Sequence, residues 1–350
     1  MIDVIDTLEK FDALKDEWER IEQNPDMRIF QTYSWCRNAW DICVSKEKGA
    51  RLWILRWHQD GKDDVVIFPF YIDGKGCLRF IMDRHSDVCN AVYDSRNLNR
   101  HWVYKEATAA IFENKAIKSV FLQKMEGGGE ALNYMSVLIP GCVVSRDNAF
   151  SWIKSEKTDK FIAAQTQLRR KDRDRLKAIL RKTGELRFRI CSTENGDEFP
   201  AEAIIALRSS MVGKFRHDDS FLNDDMLCFA RKIYDAGLSE IPVLENDDGV
   251  CALAFRFLKN RRINYWIVLY RNQILTTELY LRYMIDKAKD SAWIFDFGVG
   301  AYGYKLGTYR PEVGVTFSLR YAKNAIRNIM CLLEADVRLV KDVLKPRIHK

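Results

Sequence analysis

Residues 239–270 read SEIPVLENDDGVCALAFRFLKNRRINYWIVLY. Three runs rich in β-branched and aromatic residues, Ser239 to Glu245, Val250 to Leu258 and Ile263 to Tyr270, are separated by Asn246-Asp247-Asp248-Gly249 and Lys259-Asn260-Arg261-Arg262. Both separators carry residues that tolerate tight turns, so the stretch predicts a three-stranded antiparallel meander. A helix is expected next, from about Thr276 to Ala288, with Thr276 or Thr277 as its N-cap. After it comes the apolar run Ala292 to Phe297. Strand, helix and strand in succession predict a crossover onto a neighbouring strand.

Upstream, residues 166–183 form a strongly basic helix. Arg169, Arg170, Lys171, Arg173, Arg175, Lys177, Arg181 and Lys182 surround a thin apolar face of Leu168, Leu176, Ile179 and Leu180, and Gly184 supplies the stop. It reads either as a solvated helix with one packed stripe or as an anion-facing helix. A strand over Leu186 to Ser192 and helices over Phe199 to Met211 and Asp224 to Ala236 complete this half.

The first half opens with apolar residues at helical spacing, Leu8, Phe11, Leu14, Trp18 and Ile21, which predict a helix from Thr7 to Glu22 ended by Asn24-Pro25-Asp26. Strands are expected over Leu52 to His58 and Val65 to Tyr71, with Asp60-Gly61 between them, and a further turn at Asp73 to Gly76. A helix near Tyr104 to Lys115 leads to a strand over Ser119 to Gln123. Gly127-Gly128-Gly129 follows it, but without a GK[ST] ending or an evident following helix, so it reads as a plain loop. At the other end, Ala325 to Val343 reads as a helix.

With 350 residues the chain suits two domains. An apolar fraction of 47% is ample for a core and argues against disorder. The net charge of +7 permits an anionic partner without requiring one. The start, Met1 to Asp6, is not a signal peptide, and no run approaches a membrane span. Nine scattered cysteines with no CxxC pair suggest reduced thiols in a cytoplasmic protein. Five histidines show no metal-ligand spacing, so no metal is expected.

Several residues are candidates for chemistry. Asp296 stands in the apolar run Trp293 to Gly298, where an unpartnered carboxylate would be costly. It is therefore expected at a strand end, facing a cleft or a cation such as Lys305; a structural Asp capping the turn explains it equally well. Tyr302 lies in the glycine-rich turn before Lys305. Arg208, and Arg216 and His217 in the Lys214 to Asp218 cluster, are candidate acceptor-binding groups, with His217 a candidate base. Tyr265, Trp266 and Tyr270 on the third strand are candidates to line the cleft, Tyr270 among them on the donor side, though core packing explains aromatics in strands as well.

Phe295-Asp296-Phe297-Gly298-Val299-Gly300, followed by Tyr304-Lys305-Leu306, resembles the terminal motif of the CelD/BcsL-type acyltransferases, named for cellulose biosynthesis. Phe30-Gln31 to Trp35 and Trp40 resembles that family's N-terminal pattern, and the basic helix resembles the segment that opens its catalytic half. The resemblance runs from about Leu8 to Arg310. It implies an α/β (α+β) protein with tandem GNAT-like domains, whose mixed, largely antiparallel sheets are flanked by helices. Meander, helix and strand is the core order of that fold. A degenerate domain would span 1–155, and an acyltransferase domain with its C-terminal helix 156–350. The resemblance also implies an N-acyltransferase taking an acyl group from acyl-CoA to an amine, an amino sugar of surface polysaccharide synthesis, with polysaccharide-synthesis proteins as partners.

The architecture is similar as well to the FemABX peptidyltransferases, which use aminoacyl-tRNA and carry an aromatic-Lys pair late in the chain. By that analogy Lys305 neutralises charge in the reaction and Tyr304 packs beside it. In one respect the chain departs from the pattern. Where a glycine-type turn would hold the donor's pyrophosphate, it has Arg271-Asn272-Gln273-Ile274-Leu275-Thr276-Thr277-Glu278. Arg271, Thr276 and Thr277 are the candidates to compensate. The alternatives are an aminoacyltransferase using tRNA and a non-catalytic subunit of a polysaccharide-synthesis complex.

Overall fold

The computed structural model describes residues 1–59, 61, 63–94, 100–154, 170–215, 222–288, 291–300, 303–331 and 333; of residues 212–215, 303 and 304 it describes the backbone alone. The chain forms two compact units, one of residues 1–149 with 314–350, the other of residues 150–313. The architecture is mixed α/β, with mixed sheets in both units.

In the first unit, β1 (Ile2–Ile5), β3 (Ile54–His58), β4 (Val65–Phe68) and β7 (Val92–Tyr93) make an antiparallel sheet in the order β1-β3-β4-β7. The two runs expected as single strands are each broken. The first gives β2 (Arg51–Leu52) and β3, the second β4 and β5 (Phe70–Ile72). Pro69 stands at the second break, and a residue without an N–H cannot carry a ladder through. The hairpin therefore changes sheets: β2 pairs with β5, and β5 with β6 (Cys77–Phe80). Strand β6 runs parallel to β8 (Ser119–Glu126). The turn at Asp73 forms as expected, with Asp73 Oδ1 accepting from the amides of Lys75 and Cys77.

The opening helix divides into α1 (Leu8–Ala13) and α2 (Lys15–Ile21), because Leu14 closes a tighter turn by donating its amide to Phe11 O. Phe11 of α1 stacks on Trp18 of α2, and Tyr33 of α3 (Tyr33–Ala39) meets both rings edge-on. After α4 (Arg100–Glu113) and β8, the triple glycine does lead into a helix, α5 (Glu130–Leu138), with Gly129 as its N-cap. A phosphate site does not result: Glu130 sits in its first turn and pairs with Arg100, and a Cβ at Gly127 would meet the Phe317 ring at 2.8 Å.

The second unit carries the predicted meander. Its sheet runs β10 (Arg187–Cys191), β11 (Ser239–Asn246), β12 (Gly249–Lys259), β13 (Arg262–Tyr270), β14 (Ile294–Val299) and the end of β9 (Val143–Lys154). Strands β10 to β13 are antiparallel, and β14 is parallel to β13. Asn260 and Arg261 both hold positive φ, 50° and 55°, as a two-residue type I′ hairpin requires. Helices α6 (Arg170–Thr183), α7 (Ala201–Phe215), α8 (Asp224–Asp235) and α9 (Leu275–Ala288) flank the sheet. Trp266 on one face meets Phe229 of α8, while Tyr265 on the other meets Tyr280 of α9. Residues 166–169 of the expected basic helix lie outside the described residues. Strand β15 (Glu312–Ala322), unassigned from sequence, pairs with β8 in the first unit, and so follows the short helix α10 (Gly303–Tyr309) of the second. Of the expected C-terminal helix, residues 325–331 are helical and the stretch after 333 is outside the described part.

Candidate active site

Strands β13 and β14 pair through only three rungs, Arg262–Ile294, Ile263–Phe295 and Asn264–Asp296. Beyond Asn264, β13 keeps its register with β12 alone, while β14 holds to β9 through Val299–Phe150. The two strands thus splay from Tyr265 onward. A bulge opposite Phe255 supports this: Ala254 pairs with Val268 but Arg256 with Tyr265, which sharpens the local twist of β13. The backbone edge of β13 from Tyr265 to Tyr270 faces the gap.

Asp296 sits at the last rung, 1% exposed. Its Oδ1 accepts from the Gly298 amide, an Asx-type turn that the positive φ of Gly298 (69°) completes. Its Oδ2 lies 3.0 Å from Arg262 Nη1. Asp296 thus caps a turn and pairs with a cation, but that cation is Arg262 and not the Lys305 expected from sequence. Arg262 is a cation that sequence reasoning had not considered. It reaches Asp296 because parallel pairing brings residues 34 apart onto one face.

Lys305 lies in α10, 6% exposed, and its ammonium donates to the carbonyls of Phe297 (2.6 Å) and Val299 (3.3 Å). It fastens that helix to the end of β14 and leaves a positive charge beside the splay. Tyr304 falls in the same helix. Tyr302, Arg216 and His217 lie outside the described residues. Arg208 is half-buried on α7.

The turn after β13 is closed on itself. The amides of Leu275, Thr276 and Thr277 donate to the carbonyls of Asn272, Gln273 and Ile274, and the Ile274 amide to Asn272 Oδ1. Asn272, not Thr276 or Thr277, supplies the side-chain cap, and the Thr276 hydroxyl donates back to Gln273 O at 2.7 Å. Arg271 Nη2 is bonded to Asp248 O, and Glu278 to Arg282. A pyrophosphate cradle needs helix-terminal amides free to donate, and here these four have acceptors already. The turn does not fit that group. Tyr270 and Ile274, like Ile179 and Leu180 of α6, pack against one buried cluster that includes Leu275 and Leu279.

Two further polar groups at the closed end of the splay were not singled out from sequence. Asn264 is fully buried between Phe257 and Asp296 on its row, and neither amide atom has a partner. Arg256, 1% exposed, lies on the opposite face, with its guanidinium 3.8 Å from the Tyr265 ring centre and 4.8 Å from that of Tyr280. A desolvated cation–π contact is worth about 2 kcal/mol, against several kcal/mol for taking such a cation out of water. An arginine inside the run ALAFRFL was the available signal.

Residues 166–306 match the family model described as an acetyltransferase (GNAT) domain. The chain therefore carries a GNAT-type acetyltransferase domain, and it is an enzyme of the N-acyltransferase class. Among solved structures, it is similar to FemX, at 11% identity over 90% of this chain and 98% of that one, with a TM-score of 0.57. It is also similar to L-PGS from Bacillus licheniformis, at 14% identity over 93% and 96% (TM-score 0.55). A conserved protein of unknown function from Bacteroides thetaiotaomicron matches at 11% identity over 92% and 100% (TM-score 0.56). At these identities the likeness is one of fold. No curated protein matches the chain. All nine cysteines are free thiols. Among the described residues no helix is long and apolar enough to cross a membrane, and no three His, Cys, Asp or Glu side chains gather to hold a metal.

Proposed function

We propose that the splay between β13 and β14 is where an activated acyl carbonyl is held for attack by an amine. The observation that carries this is the release of β13 from β14 immediately after the Asn264–Asp296 rung, which leaves the backbone edge of β13 beyond Asn264 with no further rung to β14. Amides on such an edge stabilise the oxyanion that forms as the amine nitrogen adds to the carbonyl. Collapse of that intermediate breaks the bond to the carrier's sulfur or oxygen, and the proton lost by the amine passes to the leaving group. The Lys305 ammonium contributes positive charge at the end of β14. Asp296, held by Arg262 and the Gly298 amide, orients the acceptor from the last rung. The first unit is read as the degenerate partner domain.

The donor in this reading is acyl-CoA, in keeping with the GNAT domain, and the acceptor an amino sugar of surface polysaccharide, in keeping with the CelD/BcsL resemblance. The closed turn at Asn272 to Thr277 favours a second donor, an aminoacyl ester on tRNA, which needs no pyrophosphate there and would use the exposed cations of α6. Calorimetry with acetyl-CoA, a longer acyl-CoA and an aminoacyl-tRNA, on wild type and Lys305→Ala, tests the reading. Micromolar binding of one donor supports it, and binding of none removes it.

A further inference from the structure

We propose that Arg256, with the hydroxyl of Tyr265, seats an oxyanion of carboxylate or phosphate type carried by one of the two reactants, at the closed end of the β13–β14 splay. This deepens the reading of the same cleft given above and rests on it for the identity of the reactants. Arg256 Nη1 donates to Phe255 O at 2.9 Å, but Nε and Nη2 have no acceptor although the residue is 1% exposed. Buried donors are ordinarily bonded. Nε and Nη2 form one edge of the guanidinium, the edge that grips an oxyanion side-on through two parallel hydrogen bonds.

Tyr265, the residue stacked on the guanidinium, carries a further donor. The Tyr265 hydroxyl, also buried, lacks a partner, and its ring lies under the guanidinium. Burial raises the Tyr265 pKa above its ordinary 10.0, so the hydroxyl keeps its proton and can donate. No carboxylate among the described residues answers these donors. Glu240, which shares the row with Arg256 and Tyr265, accepts from Tyr283 and Lys287 instead.

Position separates this seat from the donor's carrier. Tyr265 is the first residue of β13 beyond the last rung, and Arg271 lies six residues further on, about 20 Å along an extended strand. An anion at Arg256 therefore belongs near the reacting end of a ligand. It is either an acid group on the acyl chain or one on the acceptor.

Free succinate and inorganic phosphate are the probes, titrated against chloride at matched ionic strength with thermal unfolding of the full chain as the readout. Wild type should be stabilised by one or both. In Arg256→Met the apparent affinity should fall at least about tenfold, the loss of one charge-assisted pair. Tyr265→Phe keeps the ring and its packing, and should weaken binding severalfold even if Arg256→Met folds poorly. Equal stabilisation of wild type and both variants, or no anion-specific stabilisation of wild type, overturns the proposal. Because the probes are free anions, failure of every acyl donor to bind would remove the donor reading and leave this result standing. Succinyl-CoA against acetyl-CoA then locates the anion. A preference for succinyl-CoA that is lost in Arg256→Met puts it on the acyl group, and equal binding puts it on the acceptor.

Discussion

Asn264 and Asp296 form the last rung between β13 and β14, with Arg262 bracing Asp296 from two residues before it and Tyr265 standing just beyond. Asn264 is fully buried, Asp296 is 1% exposed, and the strands part at the next residue. The rung is both the end of the sheet's continuous pairing and the floor of the cleft.

The Arg262–Asp296 pair holds this floor. Arg262→Met takes the guanidinium away from Asp296, a buried carboxylate that also accepts from the Gly298 amide. A loss of roughly 3 kcal/mol in chemical denaturation is expected. Adding Asp296→Asn to that variant should restore part of it, since the uncompensated charge is then gone.

Lys305→Met removes the donor from the carbonyls of Phe297 and Val299. Hydrogen bonds from a charged group are worth about 1.5–3 kcal/mol, so the unfolding midpoint should fall accordingly. The rate of acyl transfer should drop by about two orders of magnitude, as for other lost electrostatic contacts to an oxyanion. Unchanged transfer by a folded Lys305→Met protein would exclude the role given to Lys305.

Arg261 holds a φ of 55° in the β12–β13 hairpin, where glycine is preferred. Arg261→Gly relieves that strain and should raise stability by about 0.5–1 kcal/mol, less the added flexibility of the unfolded chain. Equilibrium denaturation of the single variant measures it.

Asp83, 1% exposed, has its pKa raised above the ordinary 3.8 by burial, with Arg79 opposing the shift. The folded state therefore binds the proton more tightly than the unfolded state. Its contribution to stability is full below pH 3.8 and is lost as pH rises through the folded pKa. The difference in melting temperature between Asp83→Asn and wild type should thus move in the variant's favour from pH 4 to pH 7. A difference that moves the other way would show that Arg79 outweighs burial.

The meander, the helix after it and the buried Asp296 strand were legible because each depends on local chemistry: alternation, the Asp248-Gly249 and Asn260 turns, and an acid in an apolar run. Strands β9 and β15 were not, since their long runs mix polar and apolar residues and their partners are distant in sequence. The partner of Asp296 was hidden for the same reason, because only the parallel register shows that Arg262 is adjacent. The sequence of the 271–278 turn revealed the missing glycine. It could not reveal that the amides of residues 274–277 are already bonded, which is a property of the folded backbone. Arg256 was visible as an anomaly inside β12, but its unpartnered edge appears only once Glu240 is seen to be engaged elsewhere.

The central claim is that an acyl donor lies along the free edge of β13. Hydrogen exchange of the backbone amides, read by mass spectrometry with and without acetyl-CoA and an aminoacyl-tRNA, tests it most directly. One donor should slow exchange across Tyr265 to Tyr270 and at the start of α10, with little change in β10 and β11. Donor binding that leaves the amides of Tyr265 to Tyr270 unprotected would contradict it.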